Sequence, residues 1–68
     1  MDGTRVWGED GTLCIRSAAA GRASVYNALG HLLNSLTLSA GETRRLNMPA
    51  GVYIVTFDNG RAYKAAVR

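Results

Sequence analysis

Turn-forming glycines punctuate this chain from end to end. Asp10-Gly11, Ala20-Gly21, Leu29-Gly30, Ala40-Gly41, Pro49-Ala50-Gly51 and Asn59-Gly60 interrupt it at short intervals. The segments between them are rich in Val, Ile, Leu, Thr and Tyr. No interval leaves room for a long amphipathic helix with caps, whereas short β-prone segments closed by turn residues are the pattern of a sandwich or small barrel. The stretch Ser17 to Ala23 holds three consecutive alanines, but Gly21 and its shortness favour a loop or strand edge. Seven strands are expected: Thr4–Trp7, Thr12–Ser17, Arg22–Asn27, Leu32–Leu38, Glu42–Met48, Val52–Phe57 and Ala62–Val67. The expected fold class is all-β and antiparallel, with no internal repeat or linker.

Two hairpins can be registered from their turns. Asp10-Gly11 pairs Val6 with Ile15 and Gly8 with Leu13 on the core side, and Trp7 with Cys14 on the other. Arg5 and Arg16 flank Trp7, so a cation–π contact is expected there, and Trp7 reads as a hydrophobic lid ahead of an exposed contact residue. Asn59-Gly60, taken as a two-residue turn, pairs Thr56 with Tyr63, Ile54 with Ala65 and Val52 with Val67. The opposite face then pairs Phe57 with Ala62, Val55 with Lys64 and Tyr53 with Ala66. A strand apolar on both faces, as Val52–Phe57 is, belongs inside a sheet.

With 68 residues the chain is read as a single domain, 1–68, small enough to be marginally stable alone. Cys14 is the only cysteine, so neither an internal disulfide nor an ordinary structural zinc site is available. Attachment to something larger is the favoured source of support. No apolar run is long enough to span a bilayer as a helix, and Asp2, Arg5, Glu9 and Asp10 break up any signal-peptide core. An exported parent would carry its signal upstream, with Met1 opening an excised segment.

The residues offer little catalytic chemistry. Cys14 lies mid-strand without a glycine elbow or helix N-terminus to activate it, and His31 follows a turn glycine, so a Cys14–His31 dyad is disfavoured. Asp2, Glu9, Asp10 and Asp58 sit near the N-terminus or in turns, where acids serve turn geometry, and Glu42 is expected to start a strand. No glycine loop ends in the Lys-Ser or Lys-Thr of a phosphate cradle. The chain is read as no enzyme, with no cofactor and no metal. A formal charge of +3 raises nucleic acid as a partner. However, the seven arginines are scattered, and Tyr53, Phe57 and Lys64 on one face make only a thin version of a base-stacking platform. No nucleic acid is expected.

Gly11-Thr12-Leu13-Cys14-Ile15 is followed by Val25-Tyr26-Asn27-Ala28-Leu29-Gly30-His31-Leu32-Leu33, then by Leu38-Ser39-Ala40-Gly41-Glu42-Thr43. Next come Leu46-Asn47-Met48-Pro49-Ala50-Gly51-Val52-Tyr53-Ile54-Val55 and finally Tyr63-Lys64-Ala65-Ala66-Val67-Arg68. From Gly11 to Arg68 this order resembles the type A C-terminal sorting domain of type IX secretion (Por) substrates, although Lys64-Ala65-Ala66-Val67 departs from the usual Lys-Val-x-Val ending. The resemblance implies a seven-stranded immunoglobulin-like antiparallel β-sandwich at the C-terminus of a larger exported protein. It also implies that the module crosses the periplasm and directs a covalently linked N-terminal cargo to the cell surface. Outer-membrane translocation machinery and a sortase-like protease would be its partners. Lys64, Val67 and Arg68 are the implied recognition residues, whereas Gly30, Pro49, Gly51 and Tyr53 match the motif in structural roles. One physical route would be strand addition to an exposed terminal strand.

Two other readings share most of these features. One is an uncleaved structural or adhesion cap of a bacterial surface protein. The other, less favoured, is a small nucleic-acid-binding β-barrel. In isolation, open edge strands would permit a strand-exchanged dimer.

Overall fold

The computed structural model describes residues 3–68; Met1 and Asp2, with the role expected of Asp2, lie outside the described residues. Seven strands follow one another: β1 (Arg5–Glu9), β2 (Thr12–Arg16), β3 (Gly21–Asn27), β4 (Leu32–Leu38), β5 (Thr43–Asn47), β6 (Gly51–Phe57) and β7 (Ala62–Val67). Each expected segment is a strand, with bounds shifted by at most two residues. They form two antiparallel sheets, one in the order β1-β2-β5 and the other β4-β3-β6-β7. Alternation in β2 and β6 aims Leu13 and Ile15 of the first sheet, and Tyr53, Val55 and Phe57 of the second, into one core. Ala23, Val25, Leu38, Met48, Ala65 and Val67 complete it. Phe57 and Tyr63 meet edge to face, with ring centroids 5.5 Å apart. The Cα radius of gyration is 10.8 Å, close to the roughly 11 Å of a well-packed chain of this length. No helix of the described residues is long and apolar enough to cross a membrane.

The β1–β2 hairpin has the register expected from Asp10-Gly11, pairing Val6 with Ile15, Trp7 with Cys14 and Gly8 with Leu13. The β6–β7 hairpin does not. Its pairs are Thr56–Ala62, Val55–Tyr63, Ile54–Lys64, Tyr53–Ala65, Val52–Ala66 and Gly51–Val67, one residue away from expectation. A two-residue type I′ turn requires positive φ at both central positions, but among the described residues only glycines adopt positive φ. Gly60, at φ +88°, takes that conformation alone. The Gly60 N–H donates to the Phe57 carbonyl and the Phe57 N–H to the Arg61 carbonyl, which closes a three-residue loop. A one-residue slip turns a strand over. Tyr63, Ala65 and Val67 therefore stand opposite Val55, Tyr53 and Gly51 on the core side, and Lys64 shares the outer face with Ile54.

The two sheets close along one side. β1 lies against β7: a Cβ on Gly8 would fall 1.6 Å from the Ala66 carbonyl oxygen, so no larger residue fits there. The Arg68 N–H donates to the Glu9 carbonyl at 3.4 Å, and the Arg68 carbonyl accepts from the Gly11 N–H at 2.8 Å. The terminal strand is consequently shielded by β1 rather than open as expected. On the other side, β4 and β5 are the free edges.

Candidate docking face

Because Tyr53, Val55 and Phe57 point inward, Val52, Ile54 and Thr56 of β6 point out of the sandwich. Register then builds a row across the second sheet. Leu32 of β4 lies beside Tyr26 of β3, Tyr26 beside Ile54, and Ile54 beside Lys64 of β7. Val52 and Ala66 form the next row on that face. The exposed large hydrophobics among the described residues are Leu29, Leu32, Leu33 and Val52, at 81%, 57%, 43% and 41% exposure. All four belong to this end of this sheet. Scattered surface leucines need no explanation, but a contiguous apolar patch on a small domain does.

Leu29 is held out by an ordered turn. Asn27 Oδ1 accepts the N–H groups of Leu29 at 3.0 Å and His31 at 2.9 Å. The Asn27 N–H donates to the His31 carbonyl and the Gly30 N–H to the Asn27 carbonyl, with Gly30 at φ +86°. Each donor and acceptor that fixes the turn is thus supplied by the turn itself, and the leucine at its tip contributes nothing to the core. Lys64 lies at one side of the face, and Arg22 is exposed on the same face toward the far end of β3.

The first sheet carries a polar cluster instead. Arg5 sits over the Trp7 ring with its guanidinium carbon 4.8 Å from the centroid, the cation–π contact expected there. The Trp7 indole N–H donates to Glu9 Oε2 at 3.1 Å, and Arg45 Nη1 reaches Glu9 Oε1 at 2.7 Å. The indole first, then the Arg45 guanidinium, hold the Glu9 carboxyl below its ordinary value. Cys14 is wholly buried between its cross-strand neighbours Trp7 and Arg45, and Arg45 Nη1 lies 3.5 Å from its sulfur. Burial pushes its thiol above the ordinary range, the opposite of what a nucleophile requires. His31 is in a turn of the other sheet, so the two members of the imagined dyad lie on different layers.

A shallow recess of about 250 Å³ beside the β2–β3 crossing is lined by Ser17, Ala18, Ala20, Phe57 and Asp58 among others. Its carboxylate is engaged, since Asp58 Oδ2 accepts the Arg22 N–H at 3.1 Å. Among the described residues no group of three or more His, Cys, Asp or Glu is placed to hold a metal ion.

A family model, DUF6383, a domain of unknown function, matches residues 1–67. The chain belongs to the DUF6383 family. No curated protein and no solved structure matches it. The resemblance to the type IX sorting domain is overturned by this result: the matching family is a different, uncharacterised one, and no sorting-domain family matches. Hairpin turns made up much of the likeness, and small β-domains of any family need them to reverse the chain.

In the DUF6383 domain the residues singled out from the sequence do not converge. Lys64 is exposed on the outer face, Val67 is 4% exposed in the core, and Arg68 is exposed with its backbone tied to the β1–β2 turn. Gly30 forms the Leu29 turn. Tyr53 is buried, and its hydroxyl donates to the Pro49 carbonyl across the corner that leads past Gly51 into β6. The base-stacking pattern also dissolves, because Tyr53 and Phe57 face the core while Lys64 faces solvent. This outer apolar face eluded sequence reasoning because β6 is apolar at both parities, and only its register with β7 shows which half is left outside.

Proposed function

We propose that the DUF6383 domain is a non-catalytic interaction module of a larger protein, and that it binds a folded protein partner through the outer face of its second sheet. The row Leu32–Tyr26–Ile54, extended by Val52 and Leu29, carries this reading. Its apolar centre and flanking Lys64 and Arg22 suit a partner surface with an apolar middle and an acidic rim, since charge complementarity at the rim sets encounter and register. Of the roles expected from the sequence, this keeps the structural or adhesion cap. It gives up the sorting signal together with the resemblance that carried it.

The same reading favours an immunoglobulin-like assignment for the sandwich. A three-plus-four division of antiparallel strands supports it, as does the Tyr53–Pro49 hydrogen bond at the entry to β6. That bond has the form of the tyrosine corner found where the sixth strand of such domains begins.

Site-specific photo-cross-linking in the native host tests the docking reading. A photoreactive residue at Ile54 is expected to give a discrete protein adduct, whereas one at Arg16 on the first sheet gives none. The adduct should disappear when Val52→Lys is added. Equal labelling at both positions, or none at Ile54, overturns the proposal.

A further inference from the structure

The outer face of the first sheet carries two like charges side by side. Arg5 of β1 and Arg16 of β2 are register partners, so their side chains leave one face with Cβ atoms about 5 Å apart. Both residues are exposed. Like charges directly opposite each other destabilise a sheet, and the acids of the described residues do not relieve this pair. Glu9 is taken by Arg45 and Glu42 by Arg44. Asp58 accepts the Arg22 N–H, and Asp10 sits in the turn at the other end of the hairpin. Among the described residues neither Arg5 nor Arg16 meets a carboxylate. The donors are nonetheless held in place. Arg5 lies over the Trp7 ring, the Trp7 indole N–H is bound to Glu9, and Glu9 to Arg45. This chain of contacts orders the Arg5 side chain, and an ordered donor loses less freedom on binding. A guanidinium stacked on a ring keeps the N–H groups at its edge for another partner. Thr43 of β5, the neighbour of Arg16 on its other side, adds an exposed hydroxyl to the row.

We infer that Arg5 and Arg16, with Thr43 beside them, bind the phosphate of a small soluble phosphomonoester. Such a group carries about two negative charges near neutral pH and three acceptor oxygens. Two guanidinium forks and a hydroxyl match it in both charge and donors, whereas a carboxylate supplies less of each. The patch is also short. Along the strands it ends at Glu9 and Asp10, and across them at Thr43 of the edge strand β5, so the run of phosphates in a nucleic acid would meet acids or leave the sheet. A lipid headgroup fits no better. The exposed large hydrophobics of the described residues all belong to the other sheet, which leaves no aliphatic side chain here to enter a bilayer. A bound dianion sets negative charge between Arg5 and Arg16 and so offsets the repulsion that these two impose on the fold. The site lies on the sheet opposite the docking face and does not depend on it.

Trp7 is the only tryptophan, so its fluorescence reports on binding at Arg5. Titration with methyl phosphate near neutral pH and at constant ionic strength should give a saturable change. Dimethyl phosphate, a diester with a single charge, should bind at least about tenfold more weakly. That preference should fade below about pH 6, where the monoester takes up a proton. Methyl phosphate should also raise the melting temperature of the wild-type chain, as a ligand of the folded state does. Arg16→Gln should lose both responses and, without ligand, melt no lower than the wild type, because it removes a like-charge pair. Lys64→Gln, which lowers the net charge equally on the other sheet, should bind methyl phosphate like the wild type. So should Ile54→Lys, which disables the docking face. A fluorescence change that does not saturate, equal binding of the two esters, or an Arg16→Gln variant that still binds would each overturn the proposal. An Arg16→Gln variant that melts lower without ligand would do the same, since the arginine would then be serving the fold.

Discussion

Gly8 and Ala66 are in contact through main-chain atoms: a methyl group on Gly8 would overlap the Ala66 carbonyl oxygen at 1.6 Å. The obstacle is backbone, which cannot swing aside as a flexible side chain can. Gly8→Ala should therefore force β1 off β7 and cost about 3 kcal/mol, the upper range for overpacking. A domain of this length has roughly 3–10 kcal/mol in total. Urea unfolding should show the variant substantially unfolded or with a sharply lowered midpoint.

Gly60 illustrates a different penalty. Nothing lies within 4 Å of the position its Cβ would take, but φ is +88°. Gly60→Ala should cost about 1 kcal/mol, the left-handed penalty of an L-residue, and should lower the urea midpoint without changing the slope. A loss as large as that at Gly8 would show that the loop is packed rather than merely turned.

Tyr53→Phe retains the buried ring and deletes the hydroxyl that reaches the Pro49 carbonyl. The expected cost is about 1 kcal/mol, which in a domain this small corresponds to a melting temperature lower by about 4–8 °C. An unchanged melting temperature would mean that water replaces the hydroxyl at that corner without loss.

Acid should weaken the fold through Glu9 and Glu42. The Trp7 indole and then Arg45 lower the first carboxyl, and the Ser39 N–H and then Arg44 lower the second, from an ordinary value of 4.5. A depressed folded-state pKa contributes stability above the unfolded value and loses it as pH falls through the folded one. The melting temperature should accordingly hold above about pH 5 and decline below pH 4.5. Glu9→Gln should remove part of that decline, and salt should shrink it, because both pairs are solvent-exposed.

The Cys14 thiol is buried and pushed above its ordinary 9.0, so folded protein should resist a thiol reagent at pH 8 and react only as it unfolds. The labelling rate in rising urea should follow the unfolding curve. Rapid labelling of folded protein would show that Trp7 and Arg45 do not shield the sulfur.

Strand positions were legible because glycine and asparagine turns mark where pairing must stop, and that signal is local. The register of β1 with β2 was legible for the same reason. That of β6 with β7 was not, since Asn59-Gly60 suits both a two-residue and a three-residue loop, and the φ of Asn59 decides between them. The consequence reached the site. With the shorter loop, Ile54 and Val52 belong to the core and the outer face holds Tyr53 and Phe57. With the longer one, the aromatics are inside and the aliphatic row is left in water. The covered edge of β7 was equally hidden, because nothing near Ala66 in the sequence indicates that Gly8 lies against it.

The packing of the first strand against the last has a bearing on biosynthesis. As the polypeptide leaves the ribosome, β2 finds β1 at once, but β1 has no β7 to lean on until residues near Arg68 have cleared the exit tunnel. Such distant partners make for slow closure, on the order of milliseconds to seconds. During that interval the leucines of β4 are in the open, in the company of other half-made copies on the same message.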